Sequence, residues 1–199
     1  MELQNSSLNY SAVEYHVKVL VIGDPLIGKS DFISSFVNSE SSFQTQVNYR
    51  TKTLDNISSR PFESFRFHIW EITDYDENRD IIRTYLDNTQ IVFLCFSLKN
   101  PDSLDSLKYW LNNKKTNLKY LLIGLKSTSM NKIDQVYIKD FCKLFNIEYY
   151  CSTNNNYIPF TTFLDDLFPK NDDLNDSNNK NNKNNKSMMN NIIQLCLIL

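Results

Sequence analysis

The stretch that decides the fold is GDPLIGKS, residues 23–30. It matches the pattern G-x-x-x-x-G-K-[ST] at every fixed position, and in such a loop backbone N–H groups surround a polyphosphate at a helix N-terminus. The preceding residues, YHVKVLVI at 15–22, are a β-branched apolar run typical of a buried strand, and DFISSF at 31–36 continues with helical spacing. Strand, loop and helix occur in the order this motif requires, so we predict a phosphate-binding loop.

Glycine usage supports the same interpretation. The chain has only three glycines in 199 residues, and two of them, Gly23 and Gly28, lie where backbone has to approach phosphate without a Cβ. We expect Lys29 to reach the outer phosphates and the Ser30 hydroxyl to bind Mg²⁺, whereas Pro25 offers no N–H. The predicted phosphate-binding residues are Gly23, Asp24, Pro25, Leu26, Ile27, Gly28, Lys29, Ser30 and Asp31.

The overall composition limits the classes of partner and location. With 21 basic and 23 acidic side chains the net charge is −2, which gives no reason to expect a nucleic acid partner. No apolar stretch reaches the roughly 18 residues of a membrane span, and the first residues, MELQNSSLNY, lack the basic and apolar regions of a leader. We therefore expect a cytosolic setting, in which Cys95, Cys142 and Cys151 stay reduced.

Apolar runs alternate with helical patterns along the chain. We predict six strands, at 15–22, 47–54, 63–72, 91–97, 118–124 and 147–151. We predict helices at 31–36, 81–86, 101–111, 136–145 and 158–167. The second and third strands are adjacent, which favours a hairpin. The pattern predicts an α/β domain over residues 14–168, with a mostly parallel six-stranded sheet and helices on both faces, after a flexible segment at 1–13.

The composition changes abruptly after the last predicted helix. Residues 169–195 are rich in asparagine and lysine and contain no aromatic side chain, so we expect a disordered tether. Residues 196–199, Cys-Leu-Ile-Leu, form a C-a-a-X box whose terminal leucine favours geranylgeranyl on Cys196. We expect this lipid to attach the chain to a membrane.

Three side chains that could signal a different kind of site are expected to be structural. His16 and His68 have no cysteine or carboxylate at ligand spacing, so neither is predicted to bind a metal. Trp110 falls on the apolar face of its predicted helix and is assigned to the core.

These segments, in this order, resemble a Ras-superfamily small GTPase of the Rab branch. GDPLIGKS resembles the Rab phosphate loop, and FRFHIW at 65–70 followed by Glu71 resembles the strand that leads to the second switch. SLDSLKYWL at 103–111 resembles a Rab helix, and LLIGLK at 121–126 resembles the strand that ends in the guanine-reading motif.

The resemblance implies a P-loop NTPase fold that binds GTP or GDP with Mg²⁺ and acts as a switch in vesicle transport. It also implies a prenyltransferase and escort proteins, effector and exchange-factor partners, and residence on the cytoplasmic face of a membrane with a cytosolic pool. The Mg²⁺ ligands that it implies are Ser30, Thr45 and Glu71.

Both switch motifs depart from the family pattern. Alignment on the second strand places Gln44 at the position of the Mg²⁺-binding threonine, with Thr45 one residue away. Where the family has Asp-Thr-Ala-Gly-Gln, residues 71–75 read Glu-Ile-Thr-Asp-Tyr. Asp74 replaces the glycine that senses the γ-phosphate, and Tyr75 replaces the glutamine that orients the attacking water. We expect slow or absent hydrolysis and assign no catalytic residue.

The guanine-reading motif Asn-Lys-x-Asp is also altered, since residues 125–128 read Leu-Lys-Ser-Thr. The lysine can still lie over a base, but the carboxylate that accepts two hydrogen bonds from guanine is replaced, which weakens discrimination. The base-binding residues implied by the resemblance are Leu125, Lys126, Thr128, Ser152 and Thr153.

Three functions remain open from the sequence. The first is a GTP-binding, membrane-anchored switch. The second is a non-hydrolysing or nucleotide-free interaction module that keeps the fold and the anchor. The third is a P-loop protein without preference for guanine.

Overall fold

The computed structural model describes residues 13–37, 47–57, 60–73, 79–126, 133–152 and 157–169. The strands in this part of the chain are β1 Val13–Ile22, β2 Val47–Ile57, β3 Arg60–Ile72, β4 Ile91–Ser97, β5 Lys119–Leu125 and β6 Glu148–Cys151. The helices are α1 Lys29–Val37, α2 Arg79–Tyr85, α3 Asp102–Asp105, α4 Lys108–Asn112, α5 Gln135–Phe145, α6 Tyr157–Thr161 and α7 Leu164–Leu167.

All six strands form one sheet in the order β2-β3-β1-β4-β5-β6. β2 and β3 pair antiparallel as the predicted hairpin, and every other neighbouring pair is parallel. β1 therefore lies between β3 and β4. The chain leaves β1 toward the β2–β3 side of the sheet, and after β3 it crosses to the other side of β1 to form β4. In open α/β sheets ligands bind beyond the carboxyl ends of the strands at such a point, and the loop at 23–30 lies there.

Alternation along the strands produces a hydrophobic core on each face of the sheet. In β1, Val19 and Val21 pack with side chains of α1, α6 and α7, whereas Leu20 and Ile22 pack with side chains of α2 to α5. These β1 side chains are almost fully removed from water. The predicted α/β architecture with helices on both faces is confirmed.

Two of the predicted helices are each divided. The predicted helix at 101–111 becomes α3 and α4, because N–H groups of Leu107 and Trp110 bond to carbonyls three residues back, at 3.2 and 3.0 Å, in the tighter 3₁₀ pattern. The predicted helix at 158–167 becomes α6 and α7, with Phe163 between them at φ −103° and ψ 7°. Trp110, which was predicted to lie in the core, is nevertheless buried, and so is Phe163.

The hairpin is longer than predicted. β2 runs to Ile57 and β3 begins at Arg60, so both strands extend into the gap between the predicted strands at 47–54 and 63–72. The register shifts between Asp55 and Ile57, as expected for a bulge, which lets a strand bend without ending.

Candidate functional site

The loop at 23–30 connects the carboxyl end of β1 to the first turn of α1. A Cβ on Gly23 would lie 2.3 Å from the backbone oxygen of Cys95, so only glycine fits beneath the loop. Gly28 has φ +98°, a conformation that favours glycine. Leu26 has φ +59° and is 99% exposed. Such a strained, exposed residue is typical of a loop shaped for a ligand.

Lys29 is buried beneath this loop, with 3% of its surface exposed. Its Nζ donates to the backbone oxygens of Gly23 at 2.9 Å, Asp24 at 2.6 Å and Thr73 at 3.3 Å. The ammonium group therefore links the start of the loop to the end of β3. A positive charge is held where two strand ends and a helix N-terminus meet, which favours an anion.

The side chain of Asp24 ties the loop to the opposite side of the site. Its Oδ1 accepts a hydrogen bond from Ser106 Oγ at 2.8 Å, in the turn between α3 and α4. Asp31 lies in the first turn of α1 and is exposed. Of the predicted phosphate-binding residues, 23–30 form the loop and the Lys29 side chain contacts its backbone oxygens, whereas the Asp24 carboxylate accepts a hydrogen bond from Ser106.

Two of the predicted Mg²⁺ ligands are brought into contact. Ser30 Oγ donates a hydrogen bond to Glu71 Oε1, and both side chains are buried. Hydroxyl and carboxylate oxygens are ligands that Mg²⁺ prefers, so this pair fits the ion. Thr45, the third predicted ligand, lies outside the described residues.

Glu71 has two further partners, both on β2, that the sequence interpretation missed. Arg50 Nη1 lies 2.9 Å from Glu71 Oε2, and Asn48 Nδ2 donates to the same oxygen at 3.3 Å. The hairpin register pairs Asn48 with Glu71 and Arg50 with Ile69, which puts both side chains on the face of Glu71. The available signal was the alternation of both strands, but it fixes the facing residues only once the register is known.

At the predicted base end, the structure brings together two of the five residues. The N–H of Lys126 donates to Ser152 Oγ at 2.8 Å, and the N–H of Ser152 donates to the Gly124 oxygen at 2.9 Å. Lys126 is exposed, whereas Leu125 is buried at the end of β5 and contributes packing. Thr128 and Thr153 lie outside the described residues, as do Asp74 and Tyr75 of the second switch.

Cys95 lies directly beneath the phosphate loop. Burial raises the pKa of its thiol to about 12, a shift opposed by the charge of Lys29 and reinforced by that of Glu71. The thiol therefore stays protonated at neutral pH and acts as a small apolar side chain.

Three aromatic side chains form a row that runs from β2 over β3 to α2, on the face of the sheet opposite Glu71; we call it the aromatic row. The rings of Tyr49 and Trp70 have centroids 4.4 Å apart, and those of Trp70 and Tyr85 have centroids 5.1 Å apart. Tyr49 lies near the start of β2, and Trp70 lies near the end of β3, next to Glu71. Tyr49 is exposed, so the row reaches solvent.

The two histidines meet at one end of this row. His16 Nδ1 and His68 Nε2 are 2.9 Å apart, and His68 Nδ1 is 2.7 Å from the hydroxyl oxygen of Tyr49. Burial, with the charges of His16 and Arg66, lowers the pKa of His68. The parallel pairing of β1 with β3 brings together rings 52 residues apart, which residue spacing alone did not reveal.

Among the described residues, none of the helices combines the length and apolar character needed to cross a bilayer. A family model described as the Ras family matches residues 18–167. Ras-related protein RabQ of Dictyostelium discoideum is 28% identical over 127 residues, 60% of this chain and 60% of that protein.

Two further relatives are similar. Ras-related protein RabV of the same organism is 27% identical over 116 residues, 56% of this chain and 50% of that protein. Ras-related protein Rab-5B of Plasmodium falciparum (isolate 3D7) is 24% identical over 144 residues, 70% of each. The chain thus spans between half and seven tenths of the length of these relatives.

Proposed function

Since the chain belongs to the Ras family as a divergent, Rab-like member, we propose that it binds a guanine nucleotide with Mg²⁺ and acts as a switch in membrane traffic. The observation that carries this proposal is the loop at 23–30, with Lys29 buried beneath it and Ser30 in contact with Glu71. Lysine, hydroxyl and carboxylate side chains converge at a helix N-terminus, as polyphosphate binding requires.

Each side chain then has a separate task. When a nucleotide binds, the Lys29 ammonium group would donate to phosphate oxygens in place of the loop carbonyls. Backbone N–H groups of the loop would donate to the other phosphate oxygens. Ser30 and Glu71 would hold Mg²⁺, which would supply positive charge to the phosphates. Pro25 contributes no N–H, so one place in the loop is without a donor.

The same contacts connect the nucleotide to both switch segments. Glu71 and Thr73 belong to the second switch segment, at 71–76, and Asn48 follows Thr45 of the first switch segment by three residues. In the proposed switch, phosphate contacts order these two segments and partner proteins bind the ordered form. Along the chain, Tyr49 follows Thr45 by four residues and Trp70 directly precedes Glu71, and aromatic side chains such as those of the aromatic row are enriched at protein interfaces. We assign effector and exchange-factor binding to this side.

Hydrolysis is proposed to be slow. Tyr75 stands where a glutamine orients water in the family, and Asp74 adds negative charge beside the γ-phosphate. The same substitutions favour the second candidate, a non-hydrolysing or nucleotide-free interaction module. The third candidate, a P-loop protein without guanine preference, rests on Thr128, which cannot accept the two hydrogen bonds that a carboxylate accepts from guanine.

The identity of any nucleotide carried by the purified full chain tests these alternatives. The protein is denatured and the supernatant is chromatographed, for the wild type, for Lys29→Ala and for Lys143→Ala, an exposed lysine of α5 used as a matched control. We expect GDP or GTP in the wild type and the control and little in Lys29→Ala, because the buried ammonium is lost. Adenine nucleotides would support the third candidate. A wild-type protein that carries no nucleotide and does not bind added Mg²⁺-GTP would contradict the proposal.

The membrane attachment is proposed to use geranylgeranyl on Cys196, within the box at 196–199. One prenyl chain gives reversible binding, so a membrane pool and a cytosolic pool handled by escort proteins are both expected. The lysines of the preceding stretch add attraction to an anionic leaflet.

A further inference from the structure

We propose that Arg50 supplies, from the protein itself, part of the positive charge that Mg²⁺ would supply beside Glu71, so that nucleotide retention by this chain depends little on Mg²⁺. The inference rests on the nucleotide binding proposed above and concerns the regulation of that site. It is carried by the buried group of Ser30, Glu71, Asn48 and Arg50, which we call the Glu71 cluster.

The first step is the charge of the Glu71 cluster. The Glu71 side chain is 2% exposed and that of Arg50 is 12% exposed. A carboxylate removed from water in this way requires a compensating charge. The Arg50 guanidinium, 2.9 Å from Oε2, already provides one, and Coulombic attraction is strengthened where water is excluded.

The second step is the set of hydrogen bonds made to Glu71. Oε1 accepts from Ser30 Oγ, and Oε2 accepts from Arg50 Nη1 and from Asn48 Nδ2 at 3.3 Å. A carboxylate has about four acceptor positions, and three are used within the cluster. Because the Ser30 hydroxyl gives its proton to Glu71, its oxygen lone pairs can still face a cation. Glu71 is therefore the more fully satisfied of the two proposed Mg²⁺ residues.

The third step is the position of Arg50 in the sheet. Arg50 is paired with Ile69 and Asn48 with Glu71 in a continuous antiparallel register, so the guanidinium approaches Glu71 from a regular strand. Guanidinium keeps its charge throughout the physiological pH range and has a rigid, planar set of donors. The countercharge is thus a permanent part of the fold.

It follows that Mg²⁺ and the Arg50 guanidinium compete for the Glu71 carboxylate. Mg²⁺ requires close to six oxygen ligands at about 2.0–2.1 Å and usually retains several waters. A water or a metal ion placed against Oε2 would meet the guanidinium and repel or displace it. Mg²⁺ therefore gains less at Glu71 than it would if Arg50 were neutral, and the nucleotide loses less when Mg²⁺ is removed.

The test measures the dissociation rate of a fluorescent GDP analogue from the full chain, with millimolar Mg²⁺ and then with excess EDTA. We expect chelation to change the wild-type rate less than about threefold, and to raise the rate of Arg50→Gln by about tenfold or more. Arg66→Gln is the matched control, because Arg66 is 46% exposed, pairs with Glu14 and lies on the other face of the sheet. It should behave like the wild type. Arg50→Lys keeps the charge and should fall between the two.

The outcomes separate this inference from the proposed function. An increase of more than about threefold in the wild-type dissociation rate on chelation would overturn the role of Arg50 and leave nucleotide binding intact. The wild-type measurement decides this even where Arg50→Gln fails to fold.

A chain that binds no nucleotide under either condition would refute the proposed function, and the role of Arg50 is then decided by thermal unfolding of the nucleotide-free chain. Mg²⁺ added at constant ionic strength should raise the midpoint of Arg50→Gln by about 2–4 °C and leave the wild type unchanged. Equal responses of the two proteins would overturn the role of Arg50.

Discussion

Gly23 shows how a single missing methyl group shapes the site. The position that its Cβ would take is 2.3 Å from the carbonyl oxygen of Cys95 and 3.0 Å from Ile27. The first neighbour is backbone of the central strand β4, which cannot move aside as a flexible side chain could. The close approach of loop and strand is what brings the loop backbone over Lys29.

Gly23→Ala is therefore expected to destabilise the fold by about 2–4 kcal/mol and to weaken nucleotide binding, because β4 or the loop has to shift. Gly28→Ala is the informative comparison. Its Cβ would meet nothing within 4 Å, so only the φ of +98° is unfavourable, at a cost of about 1–3 kcal/mol. Urea unfolding of the three proteins measures both effects. Wild-type stability for Gly23→Ala would contradict the packing argument.

At the scale of residues, the sequence predicted the side chains that follow a fixed local spacing and missed those that depend on register. Lys29 and Ser30 were predicted because the motif fixes their positions relative to a loop and a helix. Arg50 was not predicted as a partner of Glu71, nor His16 as a partner of His68. The first contact depends on the register of the β2–β3 hairpin and the second joins β1 to β3, 52 residues apart. A shift of one residue in either pairing would separate the partners.

At the scale of elements, hydrophobic spacing predicted which segments are strands and which are helices, but not where two helices break. The apolar positions of α3 and α4, and likewise of α6 and α7, point to one face whether the turn between them is α or 3₁₀. Spacing of apolar residues alone therefore cannot locate the break. The hairpin was predicted with a wider turn, since the polar residues near Asp55 resemble a turn although they continue the pairing.

Arg60 connects the start of β3 to the last helix of the described domain. Its side chain is 1% exposed, lies 3.0 Å from Asp165 Oδ1, contacts Glu63, and donates to the Leu164 carbonyl at 3.2 Å. The Glu63 contact is the main cause of its raised pKa. A buried arginine with these partners joins two elements more than 100 residues apart.

Arg60→Ala should therefore lower the free energy of unfolding by about 2–3 kcal/mol, through lost charged hydrogen bonds and lost packing of the side chain. Arg66→Ala removes an exposed ion pair with Glu14 and should cost no more than about 1 kcal/mol. Chemical denaturation of both variants checks the difference. Equal losses would show that α7 does not depend on Arg60.

At the scale of the whole molecule, the sheet and its two cores follow from alternation of strands and helices, and the family is shown by the match over residues 18–167. The residues of the phosphate loop were predicted from local spacing, and the structure places Lys29 beneath that loop and Ser30 against Glu71. The base end was predicted as Leu125, Lys126, Thr128, Ser152 and Thr153, of which the structure places Lys126 beside Ser152 and buries Leu125. Whether guanine is preferred is a difference in binding free energy between two bases, which neither residue spacing nor this contact determines.

The proposed membrane attachment depends on Cys196, which lies outside the described domain. Cys196→Ser should move the protein from the membrane fraction to the cytosolic fraction of cells, because the thiol that would carry the lipid is removed. Cys151→Ser, which removes a half-buried thiol of β6, is the control and should leave the distribution unchanged. Fractionation of Cys196→Ser with membranes as before would contradict the prenyl assignment.

The contact between His16 and His68 has a practical consequence, since these are the two histidines of the chain. In nuclear magnetic resonance their ring signals stand apart from other resonances and need no assignment beyond one substitution. Through Tyr49 and its neighbour Trp70 the pair is joined to the aromatic row. Isotope-labelled histidine would thus report on the binding of a partner protein at the aromatic row. The two histidine signals could be used to follow nucleotide exchange and partner binding.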